Sequence, residues 1–154
     1  MKQPAFKKVQ VWIHARDEKS GERRVLLLQT TPERKSIWQP VTGGVESGEE
    51  QDHAAHREAR EETGFNGDLG APRALGFEFF FQSARGPAEE RCYAWEIPSC
   101  LQPILDAREH VAYAWVSLDE ARKRIPFDSQ LQALRLLTQS LDRGSPFQSL
   151  QSKK

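Results

Sequence analysis

Residues 43–65 read GGVESGEEQDHAAHREAREETGF and join a glycine-rich loop to a strongly acidic segment. Residues 49–63 are rich in Ala, Glu and Arg and are followed by a glycine, which together predict a helix. At 100° per residue, Glu58, Glu61 and Glu62 fall within an arc of about 100°. The sequence therefore predicts three carboxylates on one face of this helix.

This acidic face has two interpretations. Like charges one turn apart destabilise a helix, and the i+4 partner of Glu58 is Glu62, another acid. In an ordinary solvated helix, Arg57 and Arg60 would neutralise part of that charge. In the alternative, a divalent cation lies among the carboxylates, and Mg²⁺ prefers such hard oxygen ligands. Because Mg²⁺ is usually shared with substrate phosphates, the second interpretation favours a phosphate ester as substrate.

The loop before the helix, residues 41–49, contains three glycines. Glycines let the backbone come close to a ligand, and a carbonyl there can serve as an oxygen ligand for a metal. A plain turn is the alternative, but it does not explain why an acidic helix follows.

This segment resembles the Nudix box, written G-x5-E-x7-R-E-U-x-E-E-x-G-U, in which U is a bulky aliphatic residue. The fixed positions are occupied by Gly43, Glu49, Arg57, Glu58, Glu61, Glu62 and Gly64. Ala59 and Phe65 occupy the U positions, and Ala59 is smaller than usual, which affects packing more than chemistry.

The resemblance implies a site for Mg²⁺, with Mn²⁺ as a substitute, that faces a pyrophosphate. The implied box ligands are the carbonyl of Gly43 and the carboxylates of Glu58, Glu61 and Glu62. Glu61 binds metal or orients the attacking water in this scheme. Glu49 and Arg57 pair to brace the loop against the helix, a supporting role in catalysis. Water then attacks phosphorus while a carboxylate accepts its proton.

Two flanking segments bear on the substrate: WQPVTG at residues 38–43 and EHVAYAW at residues 109–115. Both resemble the bacterial dihydroneopterin triphosphate pyrophosphatases of folate synthesis. That subgroup uses a Glu outside the box near the metals, which makes Glu109 a candidate catalytic and metal-binding residue. The alternative is an ordinary exposed Glu before a strand.

One departure from this subgroup concerns the loop after the Leu-x-Leu-Gln strand. Related chains often carry two arginines there, where this chain has Thr30-Thr31. Arg34 and Lys35 of the same loop are therefore the candidate substrate-binding cations.

Aromatic residues offer a further substrate contact. Trp38 either stacks on a planar substrate ring or packs in the core. An alternating set on one strand is interpreted as core: Phe77, Phe79 and Phe81. His53 and His56 project away from the carboxylates and are expected to face solvent without a role.

The remaining pattern predicts an α/β (α+β) class. The predicted elements are strands at 8–15, 24–29, 76–82, 91–97 and 112–116, a turn at 17–22, a loop at 31–48, a hairpin tip at Gly86-Pro87, a short helix capped by Ser117, and a helix from Asp128 or Ser129 to about Leu141. The resemblance implies the Nudix α/β/α sandwich, with a mixed central sheet between the box helix and the C-terminal helix. Residues 1–142 are expected to form one domain and residues 143–154 a loose tail.

Composition limits the partners. The 154 residues hold 22 Lys+Arg and 22 Asp+Glu, so the basic excess of a nucleic-acid binder is missing and stable nucleic-acid binding is not expected. No secretory leader and no membrane-spanning stretch are evident, which favours a cytoplasmic protein. Cys92 and Cys100 are expected to be reduced thiols. The oligomeric state stays open.

The sequence thus predicts a magnesium-dependent pyrophosphohydrolase acting on a (deoxy)nucleoside triphosphate or on the related dihydroneopterin triphosphate. Oxidised deoxynucleoside triphosphates, dinucleoside polyphosphates and capped RNA 5′ ends are alternative substrates. A Nudix module that binds a nucleotide without hydrolysing it is the alternative from a different class.

Overall fold

The computed structural model describes residues 6–143 of the chain. The strands are β1 (Phe6–Arg16), β2 (Arg23–Thr30), β3 (Trp38–Gln39), β4 (Val41–Gly44), β5 (Arg73–Ser83), β6 (Gly86–Glu96) and β7 (His110–Ser117). The helices are α1 (Gln51–Thr63), α2 (Leu118–Arg124) and α3 (Asp128–Arg143). Of the predicted tail, residues 144–154 lie outside the described residues.

The strands form one mixed sheet in the order β3-β2-β1-β6-β5. β1 and β6 run parallel, whereas the other pairs are antiparallel. β4 pairs with the first half of β1, where Lys8 lies opposite Gly44, and β7 pairs with β2. The acidic helix α1 contacts the sheet at β4 and β1, where these two strands pair.

A hydrophobic core covers each face of the sheet, which confirms the predicted α/β/α sandwich. On one face, Ala54, Ala55 and Ala59 of α1 are fully buried against β1, β2 and β6. These small side chains let the helix lie close to the strands, which suits Ala59 at its box position. On the other face lies a second core, in which Ala121 of α2 and Leu134 of α3 are buried.

Two predicted helix ends are correct, namely the end of α1 and the start of α2. Gly64 ends α1 with a φ of 78°, and its N–H donates to the carbonyl of Arg60. Ser117 caps α2 by accepting from the N–H of Glu120 at 3.0 Å. The start of α1 is wrong by two residues, because the Glu49 carboxylate turns back to accept from the Glu46 N–H and stays in the loop.

The hairpin of β5 and β6 is longer than predicted. β5 begins at Arg73, because Gly76 (φ 77°) lies in a bulge within the strand and not at its start. β6 begins at Gly86, so the tip is at residues 84–85 and not at Gly86-Pro87. The predicted loop at 31–48 also contains the two short strands β3 and β4.

The described residues contain two free thiols, Cys92 and Cys100, as predicted. No helix within residues 6–143 combines the length and the apolar character needed to span a bilayer.

Candidate active site

Arg57 ties the glycine-rich loop to α1. Its Nε and Nη2 atoms donate to the two carboxylate oxygens of Glu49 at 2.8 and 3.0 Å, and Nη2 also donates to the carbonyl of Gly44 at 2.8 Å. Its Nη1 atom donates to Glu58 and Glu61 at 3.2 and 3.1 Å. This bidentate geometry lowers the pKa of Glu49 to about 2. The guanidinium therefore holds the loop and two of the three helix carboxylates at once.

Glu58 lies directly against the backbone of Gly43. A methyl group on Gly43 would overlap the Glu58 carboxylate, whereas one on Gly44 would meet no atom within 4 Å. The absence of a side chain at Gly43 thus lets a carboxylate and a backbone carbonyl share one small region. Burial raises the pKa of Glu58, the Arg57 charge opposes that rise, and neighbouring Glu61 adds to it.

Glu62 is the buried member of the acidic face, with an exposed fraction of 3%. Its Oε1 atom has no hydrogen-bond partner in the described part of the chain, and the nearest cation-forming group is the His110 Nε2 atom at 4.0 Å. Burial raises the pKa of Glu62 well above its ordinary value, and the charges of Glu58 and Glu109 raise it further. Burying a carboxylate beside two others is unfavourable unless a positive charge compensates it.

Glu109 and Arg34 complete the rim of the site. They approach to 3.8 Å between Arg34 Nη1 and Glu109 Oε1, and both line the same cavity. Thr30 positions Arg34, because its hydroxyl donates to the Arg34 carbonyl at 3.0 Å and accepts from the Ile37 N–H at 2.8 Å. Thr30, at one of the two positions where arginines were expected, therefore shapes the loop that delivers Arg34.

The donor set fits a hard divalent cation in composition: carboxylates, a backbone carbonyl and an unpartnered buried carboxylate oxygen. Within residues 6–143, however, no group of three His, Cys, Asp or Glu side chains is already arranged so that it could hold a metal ion. The hydrogen bonds of Arg57 explain this arrangement, since they draw Glu58 and Glu61 toward the guanidinium.

A cavity of about 590 Å³ opens above these residues, a size suited to a small-molecule ligand. One end carries the carboxylates of Glu58, Glu61 and Glu109, and Arg34. The lining also includes residues that the sequence did not single out: Phe6, Lys8, Thr42, Ser83 and Arg85. Only the pairing of distant strands brings them together, so no local sequence signal marks them.

Several residues singled out in the sequence lie elsewhere. Trp38 packs against the second core with the Arg124 guanidinium 5.0 Å from its ring centroid, and neither Trp38 nor Lys35 is among the described residues that line the cavity. Their substrate contacts stay predictions. His53 faces solvent as expected, but the expectation for His56 is wrong, because its half-buried ring packs 5.7 Å from that of Trp95.

The three alternating phenylalanines divide between two environments. Phe77 and Phe79 are half-buried against the second core, in agreement with the prediction. Phe81 instead lines the cavity, so its interpretation as a core residue is wrong.

The candidate site thus combines a mixed sheet, an acidic helix held against a glycine-rich loop, and an adjoining cavity. A sequence profile of the NUDIX domain matches residues 7–136, so the chain belongs to the Nudix family. This family includes pyrophosphohydrolases, which are enzymes that act on acid anhydrides.

Solved structures agree with this assignment. The E. coli dihydroneopterin triphosphate pyrophosphohydrolase is 28% identical, with a TM-score of 0.70 over 87% of this chain and 95% of its own. A C. elegans Ap4A hydrolase in a binary complex has a TM-score of 0.77 over 90% of this chain and 98% of its own. It is 22% identical, which supports the fold alone.

A curated relative, the octanoyltransferase of Myxococcus xanthus, is 35% identical over 123 residues. The match covers 76% of this chain but 33% of that protein, so the chain spans about a third of the length of this relative. The activity of the longer protein therefore does not transfer to this chain.

Proposed function

We propose that this chain is a Mg²⁺-dependent pyrophosphohydrolase that cleaves a phosphoanhydride bond of dihydroneopterin triphosphate or of a (deoxy)nucleoside triphosphate. The observation that carries the proposal is the buried Glu62 carboxylate, which has an unpartnered oxygen and lies beside Glu58 and Glu109. A divalent cation among these groups would compensate their charge and leave coordination positions for substrate phosphates.

The side chains divide into holding and proton-accepting groups in this proposal. Glu58, Glu62 and the Gly43 carbonyl would hold the cation. When bound, Mg²⁺ neutralises phosphate charge and makes water more acidic. Glu61 and Glu109 have 54% and 42% exposed side chains, so they reach cavity water and are the candidates to accept its proton. Arg57 and Glu49 keep the loop at the distance from α1 that this chemistry needs.

The substrate side of the proposal rests on the outer rim. Arg34 extends a cation over the cavity beside Glu109, where it can bind a phosphate oxygen that is not taken by the metal. The 28% identity to the dihydroneopterin triphosphate enzyme supports a pterin triphosphate, and nucleoside triphosphates present the same phosphate chain. The Ap4A hydrolase, by its name, acts on a dinucleoside polyphosphate, which keeps that class as an alternative.

A substrate panel tests the proposal. Dihydroneopterin triphosphate, canonical and oxidised deoxynucleoside triphosphates, diadenosine tetraphosphate and capped RNA are incubated with the wild type and Mg²⁺, and kcat/KM is compared. We expect the pterin or one nucleoside triphosphate to lead, and Glu61→Gln to lose about 100-fold in kcat. Glu18→Gln, an exposed substitution in the β1–β2 turn, is the matched control and keeps wild-type turnover.

Each other outcome of the panel selects an alternative. A flat panel indicates a housecleaning hydrolase, and a lead for diadenosine tetraphosphate or capped RNA moves the substrate class. Calorimetric binding of a nucleotide with no product for any substrate contradicts the enzymatic proposal and supports a binding module.

A further inference from the structure

The end of the cavity away from the carboxylates is an aromatic surface made by three strands. Phe6 of β1 and Phe81 of β5 both pair with Ala88 of β6, one from each side. Directly paired residues project from the same face of a sheet, so these three side chains form one row. Ala88 is 1% exposed, so its small side chain is covered by its neighbours in the fold. We call Phe6, Ala88 and Phe81 the aromatic floor.

Phe81 is also the last ring of a ladder along β5. The ring centroids of Phe77 and Phe79 are 5.9 Å apart, and those of Phe79 and Phe81 are 5.7 Å apart. Phe77 and Phe79 are held by the second core, which fixes the orientation of the ladder. Phe81 lines the cavity and therefore offers a ring next to which a further planar group can pack.

Arg85 lies over this floor at the hairpin tip. Its guanidinium carbon is 5.3 Å from the Phe6 ring centroid, a cation–π distance, and the residue lines the cavity. At this distance no ring fits between Arg85 and Phe6. A bound ring would therefore pack against Phe81, with the planar Arg85 guanidinium as a second partner beside it.

The spacing between this floor and the acidic end suits a phosphorylated ring compound. Gly44 and Ala88 lie on strands that flank β1 on opposite sides. Gly44 pairs with Lys8, and Ala88 pairs with Phe6, which is two residues from Lys8 along β1. Strand spacing and rise place Ala88 about 12 Å from Gly44. A sugar or short polyol with a phosphate chain covers this distance, and Lys8 lies between the two ends to meet a phosphate.

We propose that the aromatic floor and Arg85 bind the planar ring of the substrate and select ring-bearing triphosphates over ring-free polyphosphates. The inference rests on the proposed function, since it concerns the same cavity. It makes Phe81 the specificity-determining residue at the ring end, a position that the sequence assigned to the core. Trp38, packed against the second core, is not needed for this contact.

Calorimetry with two probes tests the floor without requiring turnover. Guanosine 5′-(α,β-methylene)triphosphate carries a ring and resists hydrolysis between its α- and β-phosphates, whereas inorganic tripolyphosphate has no ring. In the presence of Mg²⁺, Phe81→Ala should weaken the nucleotide analogue about tenfold and leave tripolyphosphate within about twofold. Phe80→Ala is the matched control, because Phe80 is the neighbouring phenylalanine on the opposite face, 66% exposed, and should change neither.

A second variant guards against a folding defect. Phe81→Leu keeps an apolar side chain without a π-face and should also weaken the nucleotide selectively, at an unchanged melting temperature. Equal weakening of both probes, no weakening of either, or no binding of the nucleotide by the wild type overturns the floor. If Phe81→Ala weakens nucleotide binding selectively but no substrate is hydrolysed, the floor proposal stands and the hydrolase proposal is refuted. If a substrate is hydrolysed but the weakening is not selective, the hydrolase proposal stands and the floor proposal is refuted.

Discussion

The Glu58 carboxylate occupies the space beside Gly43 in which any other residue would place its Cβ atom. The loop and α1 are held in this contact by Arg57, which hydrogen-bonds both Gly44 and Glu58. The carboxylate therefore lies against the loop backbone only because position 43 has no side chain. This relationship makes Gly43 the most sensitive backbone position of the proposed metal site.

Gly43→Ala should reduce hydrolysis strongly, because the added methyl group displaces Glu58 from its position. A misplacement of about 1 Å in an active site can cost about 100-fold in rate, which is the size of loss that we expect. Gly44→Ala is the steric control, since its methyl group meets open space, and it should lose far less. Steady-state kinetics of both variants, with melting temperatures, checks this prediction, and equal losses would contradict it.

Arg57 and Glu49 should show strong coupling in a double-mutant cycle. Their side chains are 11% and 10% exposed and share two short hydrogen bonds, so each loses its partner when the other is replaced. We expect a coupling free energy of unfolding of about 2 kcal/mol between Arg57→Met and Glu49→Gln, measured by urea denaturation. Additive effects of the two substitutions would show that the brace does not contribute to stability.

Stability should depend on His14 at mildly acidic pH. His14 is 5% exposed and its Nδ1 atom lies 3.1 Å from the Arg23 guanidinium, which requires the neutral ring. Burial, then the Arg23 charge, lowers the pKa of His14 from 6.5 to about 4. As pH falls, the unfolded chain therefore binds a proton first. The stabilisation that the neutral His14 ring contributes to the folded state is fully present above pH 6.5 and is lost between pH 6.5 and 4. It does not change further below pH 4.

Comparison with His14→Gln isolates this effect. The free energy of unfolding of the wild type, relative to the variant, should fall by about 3 kcal/mol across that interval. Denaturation curves at several pH values provide the measurement. Parallel pH profiles for the two proteins would mean that His14 is not held neutral in the folded state.

Arg34 and Lys35 are adjacent cations with different expected effects on substrate binding. Arg34 lines the cavity, whereas Lys35 is outside its lining. Arg34→Gln should raise KM about tenfold by removing a charged hydrogen bond to a phosphate, and Lys35→Gln should leave it within about twofold. Michaelis–Menten analysis of the leading substrate checks this difference, which would be refuted if Lys35→Gln raised KM as much as Arg34→Gln.

The acidic face could be predicted from sequence because it is local. Glu58, Glu61 and Glu62 share one helix, and helical geometry alone puts them on one side. The same holds for Gly64, whose position after the helix marks its end. Features of this kind need no knowledge of the rest of the fold.

The ring end of the cavity could not be predicted in this way, because it depends on the register of three strands. Phe6 and Phe81 meet only through Ala88, and the strand that carries Ala88 was predicted to start later. Glu89 and Glu90 resemble loop residues in the sequence, yet both are buried, and Glu90 accepts a hydrogen bond from Gln10 at 2.8 Å. Cross-strand partners that are distant in sequence thus overrode the local preference.

The most direct test of the central claim is a Mg²⁺ titration of hydrolysis by the wild type and by Glu62→Gln, with the leading substrate of the panel. The amide removes the buried negative charge at nearly constant volume. We predict that wild-type turnover requires Mg²⁺ and stops with a chelator, while Glu62→Gln needs more Mg²⁺ and loses about 100-fold in kcat. Metal-independent turnover, or a Glu62→Gln variant with the wild-type Mg²⁺ dependence and rate, would contradict the account.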